Sequence, residues 1–267
     1  VMGVPLYRQE QQWSRRGVNL SRQNMANWIM HAQHWLQPIY DRMKEKLLEQ
    51  GIIHADETTI QVLQEDGKKA ESQSYMWLYR SGRASPGIVL FEYQPTRSGE
   101  HPKGFLVTDA YAGYNGIPDV TRVSCWAHAR RDFDEAIKAA GRRAQDPKSL
   151  EGLKFCNALF DIERELEDLD PQERFEQRLQ RSKPVLEAFL AWLEKTSAEC
   201  VQQSHLGKAV SYCLKHWKEL NNFLLDGRLE LSNNRAERSI KPFVIGRKNF
   251  LFCITPRGAR ASATTYS

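Results

Sequence analysis

The stretch IIHADETTIQVL at residues 52–63 is rich in β-branched residues and lies between Gly51 and the turn pair Asp66-Gly67, so it reads as a strand followed by a hairpin turn. SYMWLYR at 74–80 and GIVLFEY at 87–93 follow at hairpin distance, which predicts a three-stranded antiparallel meander. FLVT at 105–108 then ends at Asp109, and TRVSC at 121–125 runs into a helix over 127–140. Short apolar strands that alternate with loops and helices predict an α/β sheet changing from antiparallel to parallel.

Outward from this sheet the chain turns helical on both sides. Residues 1–50 read as an N-terminal helical segment: Gly17 marks a turn, Ser21 caps a helix carrying Met25, Trp28, Ile29, Ala32, Trp35 and Leu36, and Pro38 is expected to open another helix. With Arg15, Arg16 and Arg22 beside the turn, this pair is a candidate helix-turn-helix for DNA, although ordinary helix packing explains it as readily. Residues 141–225 read as an all-helical insertion punctuated by Pro171 and Pro184, whose acidic run at 161–176 reads as a solvated face. Residues 226–267 return to the core with a short helix capped by Ser232 or Asn233. The sheet-bearing part is 51–140.

The chain has 267 residues, about two domains' worth, and 41% hydrophobic with 27% charged residues excludes wholesale disorder. No apolar run is long enough to span a membrane, and the first residues lack a secretory pattern. Five scattered cysteines fit a reduced compartment, so a cytoplasmic protein is expected. The net charge of +5 is matched by residues 226–267, with eight basic and three acidic side chains, and that is where a polyanion would be attracted.

Three acids stand out. Alternation puts Asp56 on the strand face of Ile52, Ile60 and Val62, where a carboxylate needs a cation or donors. Asp109 ends an apolar strand, the place where ligands of open α/β sheets gather. Glu237 lies in LSNNRAERSIKP at 231–242, one turn after Asn233 and among Arg235, Arg238 and Lys241. Each alone could be a cap or a surface ion pair. Together they form an all-oxygen set suited to Mg²⁺ or Mn²⁺ and to phosphoryl transfer. Cys125 and His128 have half the spacing of a zinc site without a second half, so they are expected to pack at a strand-to-helix junction or behind Asp109. Arg130 and Arg131 on the same helix could reach DNA.

These residues resemble transposases of the insertion sequence 66 family, DDE enzymes with an RNase H-like core. The resemblance rests on PLYRQEQQW at 5–13, HADETTIQVL at 54–63, TRSGEHPKG at 96–104, LVTDAYAGY at 106–114, CWAHARRDF at 125–133 and LSNNRAERSIKPFVIGRKNFLF at 231–252. It implies an RNase H-like mixed sheet interrupted by the helical insertion, with Asp56, Asp109 and Glu237 as catalytic and metal-holding triad. It further implies Mg²⁺ or Mn²⁺ as cofactor, and DNA as partner at element ends and target. Asn234, Arg235, Arg238, Lys241, Arg247 and Lys248 would contact phosphates, with His54, Cys125 and His128 behind the acids. A homo-oligomer on DNA and accessory transposition proteins are expected by analogy. Against the family pattern, the connection at 95–104 looks short for a parallel crossover, which raises an inactive remnant as an alternative. A DNA-binding module and an RNase H-like nuclease without strand transfer are the other two.

Overall fold

The computed structural model describes residues 3–96, 103–111, 114, 117–140 and 146–267. Residues 97–102 of the shortened connection at 95–104, most of the TRSGEHPKG motif and part of LVTDAYAGY therefore lie outside the described residues. The protein is mixed α/β with a six-stranded mixed sheet, in keeping with an RNase H-like core. It divides into two compact units, one formed by residues 1–81, 85–104 and 234–267, the other by 82–84 and 105–233.

In the first unit, β1 (Ile52–Val62) pairs antiparallel with β2 (Gln73–Ser81), from Ile53↔Ser81 to Gln61↔Gln73. β3 (Val89–Gln94) extends the meander on the far side of β2, and the two-residue β6 (Phe252–Cys253) pairs parallel with the end of β1. The link between β1 and β2 is longer than a tight hairpin, and Gly67 supplies a positive φ of 76° within it. One sheet face carries Ile60, Val62, Met76, Leu78, Phe91 and Tyr93. That face is covered by Ala236, Ile240 and Phe243 of α8 (Asn234–Phe250) and by Ala259 and Ala263 of α9 (Pro256–Tyr266). Burying such side chains is the main drive to fold, at about 25 cal/mol per Å².

The N-terminal segment is α1 (Leu6–Arg15) and α2 (Arg22–Leu48), joined around Gly17 at φ 78°. Ser21 caps α2 as expected, its side chain accepting from Asn24 N at 3.1 Å. Tyr40 Oη donates to the carbonyl of Phe91 at 2.7 Å and Lys44 pairs with Glu92 at 3.0 Å, tying α2 to β3. The exposed side of α2 presents Trp28, Trp35 and Ile39 as well as Arg22 and Arg42.

The second unit holds β4 (Gly104–Thr108) from Phe105 onward, β5 (Val120–Ser124) and α3 (Trp126–Ala140). Its remaining helices are α4 (Pro147–Glu165), α5 (Pro171–Glu199), α6 (His205–Lys215) and α7 (Trp217–Asn221), followed by a short 3-10 turn at Asn222–Leu225. Trp126 and Phe133 of α3 meet Phe189 and Trp192 of α5, and Trp126 Nε1 donates to the carbonyl of Leu220 at 2.8 Å. Gly152 is required there: a Cβ would lie 2.4 Å from the ring of Phe133.

Two expectations about proline and one about helix length are corrected. Pro38 does not open a helix but lies inside the 27-residue α2, Pro184 lies inside α5, and Pro242 lies inside α8, which is longer than the short helix expected. Each proline removes a hydrogen bond to the carbonyl four residues earlier, of His34, Gln180 and Arg238. All six residues are exposed, so each freed carbonyl lies on the solvated side of its helix, where water can take the lost donor's place.

Arg178 of α5 is 1% exposed. It forms a two-point pair with Glu163 at 2.7 and 2.6 Å and donates to the carbonyls of Phe223, Asp226 and Leu229. Arg178→Leu leaves Glu163 and three carbonyls without that donor. We expect it to lower unfolding stability by about 3–5 kcal/mol, measured by urea denaturation.

Candidate active site

Asp56 lies mid-way along β1, half-buried and opposite Leu78, so its side chain emerges on the face that α8 covers. Its Oδ1 accepts from the backbone N–H of Glu57 at 2.9 Å. Glu237 is in the first turn of α8, where the helix dipole favours a negative charge.

The seating of α8 is set at both ends. Arg80 on β2, opposite His54, donates through Nη1 to the Arg235 carbonyl at 3.5 Å and to Ser239 Oγ. Arg247, near the other end, donates through Nη1 to Thr58 Oγ1 at 2.9 Å, Thr59 Oγ1 at 2.8 Å and the Thr59 carbonyl. The helix therefore runs along the strand: the twelve residue steps from Arg235 to Arg247 cover about 18 Å at 1.5 Å each, and the five steps from His54 to Thr59 about 17 Å. The first turn of α8 is thereby brought to the level of His54 and Asp56.

Rotation about the helix axis is fixed too. Ala236, Ile240 and Phe243 face the sheet, and at about 100° per residue Ser239 lies to one side of that stripe and Glu237 to the other. Ser239 meets Arg80 of β2, so Glu237 leaves α8 on the flank away from β2. Asp56 and Glu237 thus share one sheet face at one level of the first unit.

Asp109 belongs to the second unit and directly follows β4, at the carboxyl end of a strand as expected. Its Oδ1 accepts from Tyr111 N at 3.0 Å. Its carbonyl accepts from Thr108 Oγ1 at 2.7 Å and Arg122 Nη2 at 3.4 Å. In the same unit Cys125 is buried at the junction of β5 and α3, its Sγ accepting from Asn233 N at 3.1 Å, while His128 stands in the first turn of α3. His54 is buried on β1.

The candidate phosphate contacts separate into two kinds. Arg238, Lys241 and Lys248 are exposed along α8, with Asn234 and Arg235 half-buried at its start. Arg247 turns inward to β1, and burial pushes its guanidinium below its ordinary value. On α3, Arg130 and Arg131 are exposed, and Arg130 Nε donates to Asn157 Oδ1 at 2.6 Å. Sequence reasoning passed over Arg80. Its strand parity matches Met76 and Leu78, so the argument that singled out Asp56, a charge on an apolar face that needs a partner, applied to it as well.

A family model described as Transposase IS66 family matches residues 1–261. The chain belongs to that family. Three proteins of Sinorhizobium fredii (strain NBRC 101917 / NGR234) are similar to it, each described as an uncharacterized protein: y4hP at 31% identity, y4jD at 32% and y4qI at 31%. The matches cover 98–99% of this chain but 52–55% of theirs, so this IS66-family chain spans about half the length of those relatives. No solved structure matches it. Among the described residues no helix is long and apolar enough to cross a membrane.

Asp132, in the CWAHARRDF motif, has its carboxyl raised above the ordinary range, first by burial and then by Glu135, with His128 and Arg131 acting against this. A carboxyl whose folded-state value is raised binds its proton more tightly in the folded chain, so stability falls as pH rises from the unfolded value of about 3.9 through the folded one. Asp132→Asn should therefore raise the melting temperature at pH 7 relative to the parent and narrow the difference near pH 3, as read by calorimetry.

Proposed function

We propose that this chain is the catalytic core of a DDE transposase, which cuts DNA strands at the ends of an insertion sequence and joins them to target DNA. Membership of the transposase family supports the general role. The observation that carries the finer reading is the seating of α8, which sets Glu237 level with Asp56 on one sheet face.

Asp56, Asp109 and Glu237 are the acids that would hold Mg²⁺ or Mn²⁺. The donor set fits a hard cation, since all three supply carboxylate oxygens and a backbone N–H orients each aspartate. When bound, such ions activate the attacking oxygen, water or a 3′-hydroxyl, and stabilise the leaving oxygen of an in-line displacement. Arg238, Lys241 and Lys248, exposed on α8, bind the phosphate backbone and hold the scissile strand in place. Asn234 and Arg235 act at the start of the helix, and Arg130 and Arg131 extend the contact from α3. His54, Cys125 and His128 steady the strand and helix ends that carry the acids. We place the reaction in the cytoplasm, on DNA held by more than one protomer and with accessory transposition proteins.

The test is a cleavage and joining assay on element-end DNA with Mg²⁺ or Mn²⁺. Asp109→Asn and Glu237→Gln should each reduce cleavage by at least about a hundredfold, with DNA affinity within about twofold of the parent. Equal cleavage by either variant overturns the assignment. Cleavage without joining of a pre-cleaved 3′ end identifies an RNase H-like nuclease. Metal-independent binding without cleavage identifies a DNA-binding module or a remnant.

A further inference from the structure

A second feature of the first unit lies at the far end of α8 from Glu237. A cleft of about 350 Å³ is lined by Thr59, Ile60 and Gln61 of β1, Glu71 and Gln73 leading into β2, and Arg247, Lys248 and Leu251 at the end of α8. Gln61 and Gln73 are cross-strand partners, so their amides lie side by side on one face. Gln61 Nε2 donates to the Ala70 carbonyl at 2.8 Å, which turns its carbonyl oxygen away as an acceptor. Side-chain amides of this kind match the donor and acceptor edges of nucleobases. Leu251 supplies apolar surface and Lys248 a cation.

Leu251 is the telling residue. Its N–H donates to the Arg247 carbonyl at 2.8 Å and closes the helix, and its φ is 67°. Helices place glycine at this position because a Cβ there crowds the backbone. Here the position carries a leucine that is 63% exposed, so the strain is accepted without burial in return. Ile245, Phe252 and Ile254 are exposed nearby in the chain, interleaved with exposed Lys241, Lys248 and Arg257. Phe252 pairs with Gln61 and so shares its face. Exposed apolar side chains interleaved with cations suit unstacked bases and their phosphates. Docking of an apolar protein surface would not call for that cationic setting.

We infer that this cleft seats an unpaired nucleotide of a DNA strand, its base against Leu251 and the two glutamine amides, its phosphate at Lys248. The inference rests on the DNA-processing reading above and adds to it a site, apart from the acids, that takes single-stranded rather than paired DNA. A base within a duplex presents only its edges, whereas a cleft this size admits one nucleotide that has left the stack.

The experiment measures binding of a labelled single strand of about a dozen nucleotides by fluorescence anisotropy, beside a fully paired duplex of the same sequence. Leu251→Gly should weaken single-strand binding about tenfold and duplex binding less than about twofold. Its melting temperature should hold or rise, because glycine adopts the positive φ freely. Lys248→Ala should lower the salt slope of single-strand binding by about one. Single-strand binding that is unchanged in Leu251→Gly overturns the inference and leaves these exposed side chains as a protein-docking surface. An abasic strand that binds as tightly as the base-bearing one overturns it, as does a mononucleotide that competes as well as the strand. Asp109→Asn should bind the single strand as the parent does. Strand binding by a protein that never cleaves would remove the catalytic reading and leave the cleft; cleavage with unaltered binding in Leu251→Gly would do the reverse.

Discussion

The seating of α8 along β1 and β2 is the constraint on which the acid pair of the first unit depends. Apolar packing by Ala236, Ile240 and Phe243 fixes which side of the helix faces the sheet. It does less to fix translation, because a helical stripe offers similar surfaces one turn, about 5.4 Å, up or down. The two arginine clamps remove that freedom. Arg80 holds the first turn through Arg235 and Ser239, and Arg247 holds the last turns through Thr58 and Thr59. A slip of one turn would break both clamps and carry Glu237 away from the level of Asp56, so rotation, register and the position of one carboxylate are set by the same few contacts.

In the second unit the comparable constraint is polar. The chain returns toward α8 through a short 3-10 turn and the irregular residues 226–233, where the lack of regular secondary structure leaves carbonyls for side chains to take. Arg178 takes the carbonyls of Phe223, Asp226 and Leu229, and Arg174 takes those of Leu166, Glu167, Leu169 and Gly227. Two buried arginines on one helix thereby fix the path of the segment that precedes α8. Glu163 balances one of the two charges. The helical insertion is in this sense part of the scaffold of the return.

Much of this was legible in the sequence because the patterns are local. Strand alternation located the meander, the FLVTD run located the strand before Asp109, and Ser21 before an apolar-periodic run located the start of α2. What could not be read locally depends on which side of a helix faces water. Pro38 and Pro184 read as breaks, yet each occupies a solvated face where water can replace the lost hydrogen bond. Arg80 and Arg247 were hidden for a related reason. A cation's partner lies in three dimensions, some 155 to 190 residues away along the chain, and nothing beside either residue announces it.

The same distinction changes the meaning of the basic tail. Counted by composition, residues 226–267 carry the whole net charge of the protein. Their cations are not equivalent, however. Arg228 is paired with Asp226 at 2.6 Å, and Arg247 is bonded to β1. Arg238, Lys241, Lys248, Arg257 and Arg260 remain exposed, and all belong to the unit that holds Asp56 and Glu237. Salt sensitivity of DNA binding follows the cations that neutralise phosphates, not the formal charge of a segment. The tail therefore acts in two ways at once. Its inward arginine fixes the helix that bears Glu237, and its outward cations stand exposed on the same unit.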